Sequence, residues 1–161
     1  MTSDETIVED ERRDKPTLEL RVATSARDLH EITLIRRTVF TDEQHLTDVV
    51  DRDPYDRGPG AVQLLALLDG RPVGVGRLHV SRGEGQIAWV AILPAYRGQG
   101  IGWEIMDALL AAAGQRGAVR VTLSAQTHAV EFYRLLGFHT VGKVWMMGGI
   151  EHITMVRDLD E

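Results

Sequence analysis

The chain contains no cysteine, which excludes a disulfide framework, a thiolate zinc site and a cysteine nucleophile. It also lacks a long apolar run. The longest, Ile87 to Leu93, falls far short of the roughly 20 residues that a membrane-spanning helix needs. Basic residues are in deficit, with 18 Lys and Arg against 24 Asp and Glu, a net charge of −6 and a pI near 5.5. That balance argues against nucleic acid or an anionic membrane as the main partner. It suits a cationic small molecule or a peptide amine better. Residues 1–16 have no apolar stretch resembling a signal-peptide core. They mix Asp4, Glu5, Glu9, Asp10 and Glu11 with Arg12, Arg13 and Lys15. This reads as a disordered acidic tail on a cytoplasmic protein.

A length of 161 residues favours one domain, expected over 17–161. With 43% hydrophobic and 26% charged residues, the composition is that of an ordinary globular protein. Leu18 to Val22 alternates as a strand does. Ser25 offers an N-cap with Asp28 three residues on, and Leu29, Ile32, Ile35, Val39 and Phe40 follow at helical spacing. Thr41 to Gly60 holds Asp42, Glu43, Asp48, Asp51, Asp53 and Asp56 and reads as a short helical turn followed by an acidic loop. Val62 to Leu68 and Val73 to Val80 are apolar runs joined by Asp69-Gly70, a hairpin signal. A third strand, Gln86 to Ile92, follows the turn Ser81 to Gly85.

After Pro94 comes a glycine loop. A helix then runs to about Gln115 with Ile105, Met106, Leu109, Leu110 and Ala113 on one face. Ala118 to Leu123 predicts the next strand. Ala129, Phe132, Tyr133 and Leu136 predict a short helix that Gly137 terminates, and Val141 with Ile150 to Val156 predicts a final strand pair. The order is β-α-(α)-β-β-β-α-β-α-β-β, a mixed α+β domain around one sheet.

The chemistry concentrates in Arg97-Gly98-Gln99-Gly100-Ile101-Gly102, between a strand and a helix. Glycines let a backbone turn several N–H groups onto one anion, and the positive end of the helix dipole adds about 0.3–2 kcal/mol. A diphosphate is the natural ligand, although a merely tight turn is the plain alternative. A Rossmann fingerprint fails because Trp103 stands in the third-glycine slot. A P-loop fails because Gly102-Trp103-Glu104 does not supply Gly-Lys-Ser/Thr.

The arrangement resembles the GNAT N-acetyltransferases, whose Gln/Arg-x-x-Gly-x-Gly/Ala motif is matched by Arg97, Gly100 and Gly102. Ile92 and Pro94 match the residues that usually precede it. Ala129-Val130-Glu131-Phe132-Tyr133-Arg134-Leu135-Leu136-Gly137-Phe138 is similar to that family's Ala-x-x-Phe-Tyr-x-x-x-Gly-Phe segment. The resemblance covers roughly residues 18–159. Val39-Phe40-Thr41-Asp42-Glu43-Gln44, Ala125-Gln126 and Gly149-Ile150-Glu151-His152-Ile153-Thr154-Met155 resemble the ElaA-like subgroup more narrowly. Ser124 and Glu151 stand there in place of a glycine and a proline.

The resemblance implies a GNAT fold, α+β, with a mostly antiparallel sheet splayed between its fourth and fifth strands and flanked by helices. It implies transfer of an acetyl group from acetyl-CoA to a primary amine by direct attack, with no metal. It also allows a homodimer. The cofactor is expected on the backbone of Val90, Ala91 and Ile92 and on Arg97, Gly98, Gln99, Gly100, Ile101 and Gly102, with Gln126 orienting it. Tyr133 is the candidate acid for the leaving thiolate, though a core tyrosine fits its helix face equally. Some relatives place a Glu at the start of the fifth strand where Val121 stands here, so the base is sought at Glu43 or His152. Either of these also fits a structural role. Carboxylates of the acidic loop would attract an ammonium group. A non-catalytic acetyl-CoA-binding module is the competing function, discriminated by release of free CoA with an amine.

Overall fold

A computed structural model describes residues 15–159, so the acidic-tail reading falls almost wholly outside the described residues. Strand β1 (Leu18–Val22) leads to helix α1 (Ala26–Arg36). The Ser25 side chain accepts from the Asp28 backbone N–H at 3.1 Å, the expected N-cap. The predicted continuation to Phe40 is helical but not α. From Arg37 to Glu43 the chain widens into a π-helix, a form frequent at functional sites. The acidic stretch contains one 3₁₀ turn, Pro54–Asp56, capped by the Asp53 side chain.

Next come β2 (Ala61–Leu68), β3 (Arg71–Ser81) and β4 (Glu84–Ile92), then a 3₁₀ turn at Pro94–Tyr96 and helix α2 (Ile101–Gln115). Strand β5 (Arg120–Gln126), a second 3₁₀ turn (Thr127–Ala129), helix α3 (Val130–Leu135) and the hairpin β6 (His139–Met147) and β7 (Ile150–Asp158) complete the chain. Predicted elements and observed ones agree in kind and order. The largest difference in extent is β6, which is an edge strand with most residues exposed. It therefore carries no alternation for a sequence reading to detect.

One seven-stranded sheet runs in the order β1-β2-β3-β4-β5-β7-β6. All neighbours are antiparallel except β4 and β5. Strand β2 is apolar on both faces because it divides two cores. Leu64 and Ala66 face one packed against α2, and Leu65 and Leu67 face one packed against α1. Helix α2 can sit close to the sheet because β3 carries Gly76 beneath it. A Cβ built there would lie 2.8 Å from both Ile105 Cγ2 and Leu109 Cδ1.

Two irregularities open the sheet. Val75 pairs with Ala91 and Arg77 with Ala88, so Trp89 and Val90 together oppose Gly76 as a β-bulge. Strand β4 also pairs with β5 only from Glu84–Arg120 to Gln86–Thr122. Beyond that point the strands diverge while β5 stays paired to β7 through Gln126–His152.

Gly76→Ala should destabilise the fold by about 1–3 kcal/mol through overpacking against Ile105 and Leu109. Urea unfolding should show a lower midpoint at an unchanged m-value.

Candidate active site

The divergence of β4 from β5 leaves a cleft of about 1330 Å³. Its lining includes the glycine loop, the outer half of β4, the ends of β5 and β7, the π segment and helix α3. The Leu93 N–H turns to the Val73 carbonyl. By strand alternation, the backbone polar groups of Ile92 face the other way, into the cleft. The Ile92 carbonyl there accepts from Arg97 Nε at 3.0 Å.

Within the glycine loop, Gly98 and Gly100 have φ of +80° and +83°, the left-handed region that a side chain resists. Gly100 is the N-cap of α2 and brings no capping side chain. The first N–H groups of a 15-residue helix are thus left to whatever enters the cleft. An anion cradle fits these residues. Space over both glycines is open, with no atom within 4 Å of a built Cβ.

Arg97 has a second engagement. Its guanidinium forms a two-pronged pair with Glu43, both contacts at 2.6 Å. The hydrogen bonds from Arg97 hold the Glu43 carboxyl below its ordinary range, against a smaller opposing effect of burial. Glu43 thus joins the π segment to the glycine loop. A carboxylate so paired is a weaker base than a free one.

Tyr133 lines the cleft from α3, its ring packed edge-on against Phe132 and Phe138. Burial pushes its hydroxyl up to about 12, so it is a protonated donor throughout the neutral range. His152 is buried on β7, stacked on Trp145. Its Nδ1 lies 2.8 Å from the Ile150 carbonyl. In the neutral ring, Nδ1 carries the proton to donate there and Nε2 keeps the lone pair. The Gln126 amide is exchanged with Gln44, at 2.9 and 3.4 Å, and its Oε1 lies 2.8 Å from His128 Nε2. That bridge ties the π segment to the end of β5. Val121 is fully buried in the core beneath α2.

The acidic loop departs most from expectation. Asp53 and Asp56 turn inward rather than presenting a field to solvent. Arg77, 1% exposed, donates to Asp53 Oδ2 at 3.0 Å and to the Gln86 amide oxygen at 3.2 Å. Arg36 grips Asp56 with two hydrogen bonds of 2.7 and 3.0 Å. Asp53 also accepts from the Trp89 indole at 2.9 Å. Burial alone would raise the Asp53 carboxyl, but bonds from Trp89 and the Tyr55 N–H, with Arg77 and Arg36 nearby, outweigh it and hold the group low. Burial draws Arg77 down, opposed by Asp53 and Asp56, yet arginine stays charged at neutral pH. Sequence reading misses Arg77, Trp89 and Gln86 as cleft residues. An arginine in the otherwise apolar run from Val73 to Leu78 is the available signal for a buried ion pair.

The profile of the acetyltransferase (GNAT) domain matches residues 16–159. The chain belongs to the GNAT acetyltransferase family. It is 33% identical to YyaT of Bacillus subtilis over 140 residues, 86% of this chain and 94% of that one. It is 32% identical to the uncharacterized N-acetyltransferase YjcF of the same organism, over 85% of this chain and 97% of that one. Among solved structures, Escherichia coli ElaA superposes with a TM-score of 0.79 at 25% identity, covering 89% of this chain and all of ElaA, or 100%. An acyl-CoA N-acyltransferase of Pseudomonas aeruginosa gives 0.78 at 29% identity, over 89% and 99% of the two chains. The splayed sheet is thus the GNAT fold, and the chain is an acyltransferase by class. No described helix is long and apolar enough to cross a membrane. Among the described residues no cluster of His, Asp and Glu is placed to hold a metal.

Arg77→Met should strand Asp53 and cost about 3–5 kcal/mol, as breaking a buried pair does. The sign with pH follows from the lowered Asp53 carboxyl. Its contribution is present above the ordinary aspartate pKa of about 3.9 and is lost as pH falls through the lower folded-state value. Urea unfolding from pH 7 to pH 2 should therefore show the wild-type advantage over Arg77→Met shrinking only in acid.

Proposed function

We propose that this GNAT enzyme transfers an acetyl group from acetyl-CoA to a primary amine by direct attack. One observation carries the reading. An anion cradle at the start of α2, an unpaired β4 edge and a protonated tyrosine line one continuous cleft. Acetyl-CoA supplies the thioester carbonyl and a thiolate leaving group.

The chain's own residues divide the work. Gly98, Gln99, Gly100, Ile101 and Gly102 offer backbone N–H groups to the pyrophosphate, with Arg97 fixing the loop through Glu43 and Ile92. The exposed edge at Val90, Ala91 and Ile92 pairs with the extended arm as an added strand would. The Val90 N–H is assigned as the donor for charge developing on the carbonyl oxygen. Gln126, steadied by Gln44 and His128, orients the arm from the opposite wall.

Tyr133 Oη gives its proton to the departing sulfur. With a thiol pKa near 8.5, protonating the thiolate at pH 7 is worth only about 2 kcal/mol, and Tyr133, the weaker acid, gives its proton up only as it takes one back from solvent. The amine asks for more, since an alkylammonium near pKa 10.4 must lose its proton at a cost of roughly 4–5 kcal/mol. His152 Nε2 is assigned to accept that proton, since the Ile150 carbonyl sets its tautomer whereas Glu43 is held by Arg97. Glu43, bound by Arg97, is assigned to holding the loop.

Tyr133→Phe keeps the ring and removes the proton. Turnover should fall by about tenfold or more while acetyl-CoA still raises the Tm. A parallel loss of binding and stability would make Tyr133 a core residue only. Gly100→Val should abolish the acetyl-CoA stabilisation, worth about 2.7 kcal/mol at 100-fold excess over Kd. Differential scanning fluorimetry with NAD and ATP as controls checks it. A shift with NAD or ATP and none with acetyl-CoA would overturn the cofactor assignment.

A further inference from the structure

The end of the cleft away from the glycine loop and Tyr133 is where an acceptor must lie if the reading above holds, and its charge pattern is unusual for an amine site. Among the described residues, the four fully charged side chains lining the cleft are Glu43, Asp53, Arg77 and Arg97. They cancel in pairs. Glu43 is taken by Arg97 and Asp53 by Arg77. Asp53 has little left to offer, since Oδ2 accepts from both Arg77 and Trp89 while Oδ1 accepts from the Tyr55 N–H. Asp56 is committed to Arg36, and the exposed Asp48 and Asp51 do not line the cleft.

What remains at that end is mostly apolar. Phe40, Leu46, Val49, Trp89, Met147 and Ile150 contribute to the wall, with Thr47, Gln86 and Ser124 as uncharged polar members and His152, the base of the proposed reaction, as the titratable one. The β6–β7 turn is pressed onto this wall. A Cβ built on Gly148 would lie 2.7 Å from Leu46 Cδ1. Val49 and Met147 are each 48% exposed, so apolar side chains continue to the rim.

We infer that the acceptor is a primary amine carried on an apolar body, aromatic or branched aliphatic, with no second cationic centre. The physical argument is one of exclusion as well as fit. One ammonium entering an apolar space is pushed toward its neutral, nucleophilic form. A second ammonium, which does not react, would have to stay charged and would find every carboxylate already occupied. Burying an unpaired charge is costly. The wall therefore favours monoamines and rejects polyamines.

The inference rests on the N-acetyltransferase reading, and the two can fail separately. Free CoA release would be followed with phenethylamine and isoamylamine against putrescine and spermidine, and with phenylalanylglycinamide to represent a peptide terminus. The expected result is a kcat/KM about tenfold or more higher for the apolar monoamines. It should change little between 0.01 and 0.15 M salt, where the Debye length falls from about 30 to about 8 Å. Preference for phenylalanylglycinamide over phenethylamine would point to a peptide source of the same chemistry. Preference for spermidine, or a kcat/KM that falls with salt, would overturn the inference while leaving acetyl transfer intact. Acetyl-CoA binding without CoA release for any amine would overturn both. Val49→Asp adds one uncompensated carboxylate at an exposed position and should move the ranking toward spermidine. An unchanged ranking at unchanged Tm would mean that charge balance does not select the acceptor.

Discussion

The β-bulge at Trp89 is the constraint on which the rest of the site depends. It bends β4 on the stretch that has parted from β5 after Gln86, along the wall of the cleft. A tryptophan at φ of +59° is strained, by about 1–3 kcal/mol, and its side chain shows how the strain is borne. The indole donates to Asp53 and meets Phe40 edge-on at 5.2 Å. It also carries the Arg36 guanidinium 4.6 Å above its ring. A hydrogen bond to a carboxylate is worth about 1.5–3 kcal/mol, an edge-to-face pair about 0.5–1.5 and a desolvated cation–π contact about 2. Together these outweigh the strain, so the surroundings over-determine a conformation that the residue alone would leave.

The contacts that hold Trp89 come from three separate segments: α1 through Arg36, the π-helix through Phe40, and the loop before β2 through Asp53. The same segments supply the ion pairs Arg36–Asp56 and Arg77–Asp53. Those pairs join the loop to α1 and to β3, which lies between β2 and β4. Desolvating two arginines is unfavourable, and each keeps an Nε without a hydrogen bond. An apolar replacement could be as stable. What the ionic version adds is direction. A carboxylate held between a guanidinium and an indole fixes the ring's position as a greasy contact would not.

Period and punctuation made most of the fold legible. Asp69-Gly70 marked a hairpin, with both residues at positive φ in the structure. The stripe from Ile105 to Ala113 marked the buried face of α2. The glycine loop was legible because a left-handed backbone leaves a trace in composition. Other features leave none. A π-helix from Arg37 to Glu43 differs from an α-helix in which carbonyl accepts each N–H, and side chains of ordinary helix spacing do not record that. The acidic loop misled for a related reason. Two of the six carboxylates between Thr41 and Gly60, Asp53 and Asp56, look like a solvated surface until their partners are known. The partners, Arg36 and Arg77, lie on other elements. Only the close packing of β3 against α1 brings them there.

Holding and recognition are consequently assigned to different side chains on one short segment. Val50, fully buried, and the carboxylates of Asp53 and Asp56 anchor the loop from within, whereas Leu46, Thr47 and Val49 present their side chains to the cleft. A substitution of the second kind changes what the acceptor touches and leaves the ion pairs and the Trp89 bulge intact. A substitution of the first kind disturbs the β4 edge, which the proposed reaction uses to align the thioester, even though none of these residues need touch the reacting atoms. The separation predicts the form of kinetic damage. Changes at Leu46 or Val49 act on KM for the amine. Changes at Asp53 act on kcat with every amine alike, because the error they introduce lies on the cofactor's side of the cleft and is the same whichever acceptor is bound.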